Sequence, residues 1–152
     1  MSYVQRVLQP GEVVRHTAAI HWIVYLPGAV FVLVAAAIFG YSQLAAGGRA
    51  FWEVVAGLFG IIGVFLLVPE WFTWWTTEIA VTNLRIIYKA GFISRSTVEM
   101  HMDKVESVDV DQSIMGRILN YGDVIVKGTG TGFEPLKRIA APLELRNHIT
   151  GV

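Results

Sequence analysis

The chain contains no cysteine, and this absence excludes several kinds of protein at once. Without thiols there is no disulfide framework, no thiolate metal site and no cysteine nucleophile. A chain without disulfides also fits a reducing compartment. Charge is scarce as well: 16% of the 152 residues are charged, whereas soluble domains usually carry about a quarter.

The missing charges are concentrated in one part of the chain. Residues 17–48 contain no Asp, Glu, Lys or Arg, and residues 49–70 contain only Arg49, Glu53 and Glu70. Residues 76–152 have an ordinary composition, with nine basic and nine acidic side chains. Because tight nucleic-acid binding normally needs a basic excess, we expect no nucleic-acid partner.

Two apolar runs, at about 21–41 and 51–70, are long enough to cross a bilayer as helices. Aromatic residues mark their ends, as is typical of membrane interfaces. The short connection of residues 42–50 requires antiparallel helices. A cleaved signal peptide or a buried soluble helix explains the first run less well, because a second run with similar ends follows. The sequence therefore predicts a cytoplasmic tail (1–17), a transmembrane hairpin (18–75) and a separate domain (76–152).

The distribution of arginine predicts the orientation of the hairpin. Arg6 and Arg15 precede the first run, whereas Arg49 alone lies in the connecting loop. The positive-inside rule then places both termini in the cytoplasm.

Small residues form a stripe along the second run: Ala56, Gly57, Gly60 and Gly63. Such stripes allow helices to approach closely, and packing within the hairpin or between protomers both remain open. Glu53, which we expect in the first turn of this helix, is interpreted as structural rather than as a functional intramembrane carboxylate.

Residues 76–152 show the alternating pattern of short strands. The predicted strands are 78–82, 84–89, 92–102, 105–111, 123–127 and 133–139, with a bulge after Val105 and a helical turn at 113–119. A final helix begins at Pro142 and places Leu145 and Ile149 on one apolar face. Six or seven strands closed by a helix predict a small barrel or two packed orthogonal sheets, so the chain as a whole is α+β.

Five segments carry a family resemblance: Leu8–Glu12 (LQPGE), Val81–Ile87 (VTNLRII), Gly91–Arg95 (GFISR), Val105–Val108 (VESV) and Gln112–Gly122 (QSIMGRILNYG). In them the sequence resembles the bacterial pleckstrin-homology-like membrane proteins, the YdbS-like PH domain family. The resemblance implies a PH-like seven-stranded β-barrel or sandwich with a C-terminal helix, in a multi-pass protein of the bacterial inner membrane. Leu84 departs from the family pattern, where a second basic residue is frequent, and so does Ala141, where a polar cap is usual.

No residue set predicts catalysis. His16, His21, His101 and His148 are scattered and lack zinc-ligand spacing, so we expect no enzyme, no metal, no cofactor and no small-molecule substrate. The glycines of segment 128–132 are interpreted as a hairpin loop rather than a phosphate-binding loop, which would open a helix. The acidic strip around Asp109 and Asp111 is interpreted as a solvated or partner-facing surface rather than a cation site.

Three basic residues are candidates for contact with a lipid headgroup or a partner: Arg85, Lys89 and Arg95. The alternative is pairing with acids on neighbouring strands, such as Glu99, and the neutral charge of the domain favours it. The sequence therefore predicts a non-catalytic, membrane-anchored interaction or scaffold module. Its expected partners are the lipid bilayer and either further copies of itself or another membrane protein. The alternative function is binding of anionic lipid headgroups at the inner membrane surface.

Overall fold

A computed structural model of the chain describes residues 3–44, 47–91, 96–129 and 135–151. The chain divides into two compact units. One comprises residues 22–72, and the other combines residues 1–21 with residues 73–152.

The first unit is built from two long apolar helices. A single 3-10 turn, Trp22–Tyr25, leads into α2 (Leu26–Leu44), and α3 spans Arg49–Thr76. Pro27 lies in the first turn of α2, where its missing N–H costs no helical hydrogen bond. Both helices are long and apolar enough to cross a membrane. They extend further than the predicted runs, because α2 continues to Leu44 and α3 to Thr76.

The expected position of Glu53 was wrong. Because α3 begins at Arg49 rather than near Phe51, Glu53 lies beyond the first turn of the helix. Its Oε1 atom is 2.8 Å from Arg49 Nε, an ion pair one turn apart along the helix. Gln43 accepts a further hydrogen bond from Arg49 at 2.8 Å, which gives Glu53 and its neighbours a local structural role.

The second unit contains two antiparallel sheets. The first sheet has the order β1-β2-β3-β4, with β1 (Val14–Ala18), β2 (Glu78–Thr82), β3 (Arg85–Ala90) and β4 (Ser96–His101). The second has the order β5-β6-β7, with β5 (Val105–Asp111), β6 (Tyr121–Gly128) and β7 (Leu136–Ala140). In the described part of the unit, a 3-10 turn (Met102–Lys104) and three α-helices accompany the sheets: α1 (Tyr3–Val7), α4 (Ile114–Leu119) and α5 (Pro142–Thr150).

The core of this unit comes from both sheets and is completed by α5. Its buried members are Ile79, Val81, Ile86, Val124, Val126, Leu136, Ile139, Leu145 and Ile149. Leu145 and Ile149 supply the apolar face of α5, which confirms the face predicted from their spacing. The predicted bulge in β5 is also confirmed, since its register with β6 shifts between Val105 and Ser107.

The N-terminal segment differs most from the sequence analysis, which treated residues 1–17 as a tail and began the domain at residue 76. In the structure β1 pairs with β2, and Val4 of α1 is buried against Ala80 and Ile87. The strand sequence VRHTA is too short and polar to stand out as a strand, because its side chains alternate only between exposed and half-buried. Pairing with a buried neighbouring strand stabilises it instead.

The segment 112–122 forms the predicted helical turn, and its residue types explain the local geometry. Ser113 caps α4 by accepting a hydrogen bond from Gly116 N at 3.1 Å. Asn120 ends the helix in the left-handed conformation, at φ 57° and ψ 48°. A Cβ atom on Gly116 would lie 2.6 Å from Tyr121 O, so only glycine allows the chain to return this closely to β6.

Some predicted features fall outside the described residues. These are residues 92–95 of the predicted third strand and residues 130–134, which include part of the glycine loop. The described part of that strand runs from Ser96 to His101, and β6 begins at Tyr121, two residues earlier than predicted.

Candidate functional site

Arg85 lies at the start of β3 and is buried, with 9% of its side chain exposed. Its Nη1 atom donates to Glu99 Oε2 at 2.7 Å, across to β4. Its Nε and Nη2 atoms donate to the two carboxylate oxygens of Glu12 at 3.0 and 2.9 Å. Nη2 also donates to Val7 O at 2.7 Å, so the guanidinium group joins β3 to both β4 and the N-terminal segment.

Glu12 is the matching acid, and its side chain is fully buried. Its carboxylate also accepts hydrogen bonds from Thr82 Oγ1 at 2.7 Å and Gln9 N at 2.8 Å. Burial alone would raise the pKa of Glu12, but the hydrogen bonds from Arg85, Gln9 and Thr82 and the charge of Arg85 hold it below its ordinary value. Hydrogen bonding to Glu12 in turn raises the pKa of Arg85, against the effect of burial.

Lys89 lies further along β3 and is also engaged by the N-terminal segment. Its Nζ atom is 3.3 Å from Glu78 Oε1 and 5.2 Å from the centre of the Tyr3 ring. The Glu78 carboxylate accepts hydrogen bonds from the backbone N–H groups of Tyr3 and Val4, at 3.2 and 3.3 Å. An acid at the first turn of α1 complements the helix dipole.

These contacts decide how the basic residues are interpreted. The cross-strand pairing favoured for Arg85 with Glu99 is confirmed. The structure brings Arg85 and Lys89 to the sheet face that α1 covers, while Arg95 lies outside the described residues. Contact of these three residues with a lipid headgroup or a partner stays a prediction.

The sequence analysis missed Glu12 as the partner of Arg85. The signal was present, because Glu12 ends the Leu8–Glu12 segment that contributed to the family resemblance. The two residues are separated by 73 positions, and only the pairing of β1 with β2 brings them together.

The small-residue stripe divides into two faces of α3. A Cβ atom on Gly63 would lie 2.7 Å from Val32 Cγ2, and Ala56 is buried, so these two positions face α2. A Cβ atom on Gly60 would be in ordinary contact with Ala35, at 3.8 Å. At Gly57 no described atom lies within 4 Å of the Cβ position, which leaves this residue on an open surface.

That open surface is an apolar groove along one side of α3. It is lined by Gly57, Gly60, Ile61, Val64, Phe65, Val68 and Pro69. Its walls are aliphatic and aromatic, and Ile61 and Phe65 are exposed. Such a surface suits lipid chains or a second apolar helix.

The histidines are divided between separate contacts. His16 stacks on His148, and His21 stacks on Tyr121, with ring centres 4.4 and 5.2 Å apart. Within the described ranges, no group of three or more His, Asp or Glu side chains is arranged to hold a metal ion. Asp109 of the acidic strip pairs with Lys127 on the neighbouring strand, at 2.6 Å.

The comparisons with known proteins agree with this architecture. A family model described as bacterial PH domain matches residues 19–151. Among curated proteins and solved structures, no match to the chain is found.

Proposed function

The chain belongs to the bacterial PH domain family, and on this basis we propose that it is a membrane-anchored interaction module rather than an enzyme. PH-like domains generally serve as interaction modules. In this proposal the two apolar helices form a hairpin in the bacterial inner membrane with both termini in the cytoplasm, and the protein assembles with further copies of itself or with another membrane protein.

The exposure of the two apolar helices is the observation that carries the proposal. Within the most apolar 18 residues of α2 and α3, only 17% and 11% are buried. The core helix of a soluble protein would be mostly buried, because exposed apolar surface is costly in water. A bilayer removes this cost for both helices at once.

The open groove on α3 supports self-association as the mode of interaction. In lipid, apolar surface alone does not drive helices together, because the lipid chains are equally apolar. Helices associate there through close packing, which small residues allow. Gly57 offers such a surface without being used inside the hairpin. A second copy of α3 packed along Gly57 and Gly60 would gain this close contact.

Binding of anionic headgroups through Arg85 and Lys89 is the weaker alternative. Arg85 already faces Glu12 and Glu99, and Lys89 faces Glu78. A phosphate would have to displace these acids, and the neutral domain offers no basic excess to attract it.

Extraction and mass measurement test the proposal together. The expressed protein should stay in the membrane pellet after alkaline carbonate treatment and float with lipid vesicles. Its detergent-corrected mass should exceed that of one 16.8 kDa chain in mild detergent and in nanodiscs. Release by carbonate would overturn the anchoring, and a monomer over a wide concentration range would overturn self-assembly.

A further inference from the structure

Helix α4 exposes three large apolar side chains. Ile114, Met115 and Ile118 are 79%, 56% and 70% exposed, whereas the small Gly116 faces inward. The only charge on the helix is Arg117. Adjacent aliphatic side chains with this exposure are unusual on a surface that meets only water.

Contacts inside the second unit place α4 near the two points where the chain leaves this unit, after His21, and re-enters it, at Thr73. Tyr121, two residues after α4, stacks on His21, the last residue before Trp22. Trp74, in the last turn of α3, donates its indole N–H to Ile20 O at 3.2 Å. Both junctions therefore lie at the end of this unit where α4 meets β6.

The same end carries further features of a membrane interface. Trp74 and Trp75 are exposed beside the junction, and tryptophan is enriched at the level of lipid headgroups. Amphipathic helices that lie on a membrane bury their aliphatic side chains at the boundary between headgroups and acyl chains. If α2 and α3 are anchored in a bilayer, that boundary is the apolar surface nearest to both junctions.

We propose that α4 docks on the bilayer and inserts Ile114, Met115 and Ile118 at the headgroup–acyl boundary. This inference rests on the proposed membrane anchoring and adds a third contact to it. Docking would restrict the domain to one orientation relative to the membrane plane. The acidic strip around Asp109 would then be presented to partners at a fixed height.

Site-specific fluorescence tests the docking. Because the chain has no native cysteine, each introduced cysteine is the only site that the label can modify. The variant I118C carries an NBD label in full-length protein, reconstituted in nanodiscs of phosphatidylethanolamine and phosphatidylglycerol. Doxyl groups on the acyl chains of the added lipids act as quenchers, placed high on the chain to test position 118 and low on the chain to test position 33. The variant E106C is the matched control, because Glu106 is exposed near the opposite end of β5. The variant L33C, on the exposed surface of α2, reports anchoring separately.

We expect blue-shifted and doxyl-quenched emission from the labels at positions 118 and 33, and unquenched, red-shifted emission from the label at 106. Quenching at 33 but not at 118 would overturn the docking while leaving the anchoring intact. Absence of quenching at 33 would overturn the anchoring, and the docking with it. A blue shift at 118 without doxyl quenching would show that a second protein copy covers α4, which would also overturn the docking.

Discussion

The guanidinium group of Arg85 forms a two-pronged ion pair with the carboxylate of Glu12, with N–O distances of 3.0 and 2.9 Å. The two residues are 73 positions apart, and the pair connects the segment before the apolar helices to the sheet that follows them. Such bidentate pairs fix geometry as well as charge. Loss of Arg85 leaves the buried Glu12 without a counter-charge, whereas loss of Glu12 leaves Arg85 paired with Glu99 alone.

Substitution R85A should therefore destabilise the sheet unit by about 3–5 kcal/mol, the usual cost of breaking a buried ion pair. The measurement is pulsed thiol labelling in urea of full-length protein in nanodiscs, with V126C as the reporter, because Val126 is fully buried. The double variant R85A/E12Q should lose less stability than the two single variants added together, because both substitutions remove the same interaction.

The control for this prediction is K127A, which breaks the exposed pair of Lys127 with Asp109. Exposed pairs contribute up to about 1 kcal/mol, so its effect should be small. Equal effects of R85A and K127A would contradict the structural role assigned to Arg85.

The faces of α3 predict different outcomes for substitutions at two glycines. G63L should disrupt the hairpin, because a Cβ atom there already meets Val32 at 2.7 Å. In the proposed self-assembly, G57L should leave the hairpin intact and lower the mass of the assembly, because it fills only the open groove. Detergent-corrected mass and protease resistance measure the two effects separately.

Gly40 provides the matched control, because no described atom lies within 4 Å of its Cβ position and it lies on α2. G40L should leave both mass and protease resistance unchanged. If G40L reduces the mass as much as G57L does, the groove on α3 has no special part in assembly.

The sequence indicated the helices and most strands because their signals are local. The apolar runs, the alternation in β2 and β5 and the proline at the start of α5 each depend on neighbouring residues. Strand β1 and the Glu12–Arg85 pair depend on contacts between distant segments, which a single sequence does not reveal. The orientation of the small-residue stripe was equally hidden, because Gly57 and Gly63 differ only in their position around α3 relative to α2.

The predicted topology is testable with an impermeant maleimide on intact cells. Ser42 is a poor labelling position, because it is buried and donates a hydrogen bond to Phe39 O at 2.7 Å. Gly47 is exposed and has no described atom near its Cβ position, so G47C is the better reporter. We expect labelling of G47C from outside the cell and no labelling of R15C or E106C until the membrane is permeabilised. The reverse pattern would place both termini outside.

The stacked pair of His16 on β1 and His148 on α5 predicts a pH dependence of stability. Burial, and then the neighbouring His148, lower the pKa of His16, whereas Glu144 raises it; the net shift is downward. The unfolded chain thus binds a proton more readily than the folded chain. Stability from this site is complete above the ordinary histidine pKa of about 6.5 and is lost as pH falls through the lower folded value.

The variant H148F tests this pH dependence, because it keeps an aromatic ring beside His16 and removes the neighbouring imidazole. Unfolding of the V126C reporter between about pH 7 and about pH 5 should depend less on pH in H148F than in the parent. The Glu12–Arg85 pair is present in both proteins, so its contribution cancels in this comparison. H101F is the control, since His101 is exposed on β4 and lies outside the stacked pair. If H148F and the parent lose stability in parallel as the pH falls, repulsion within the stack is not the cause.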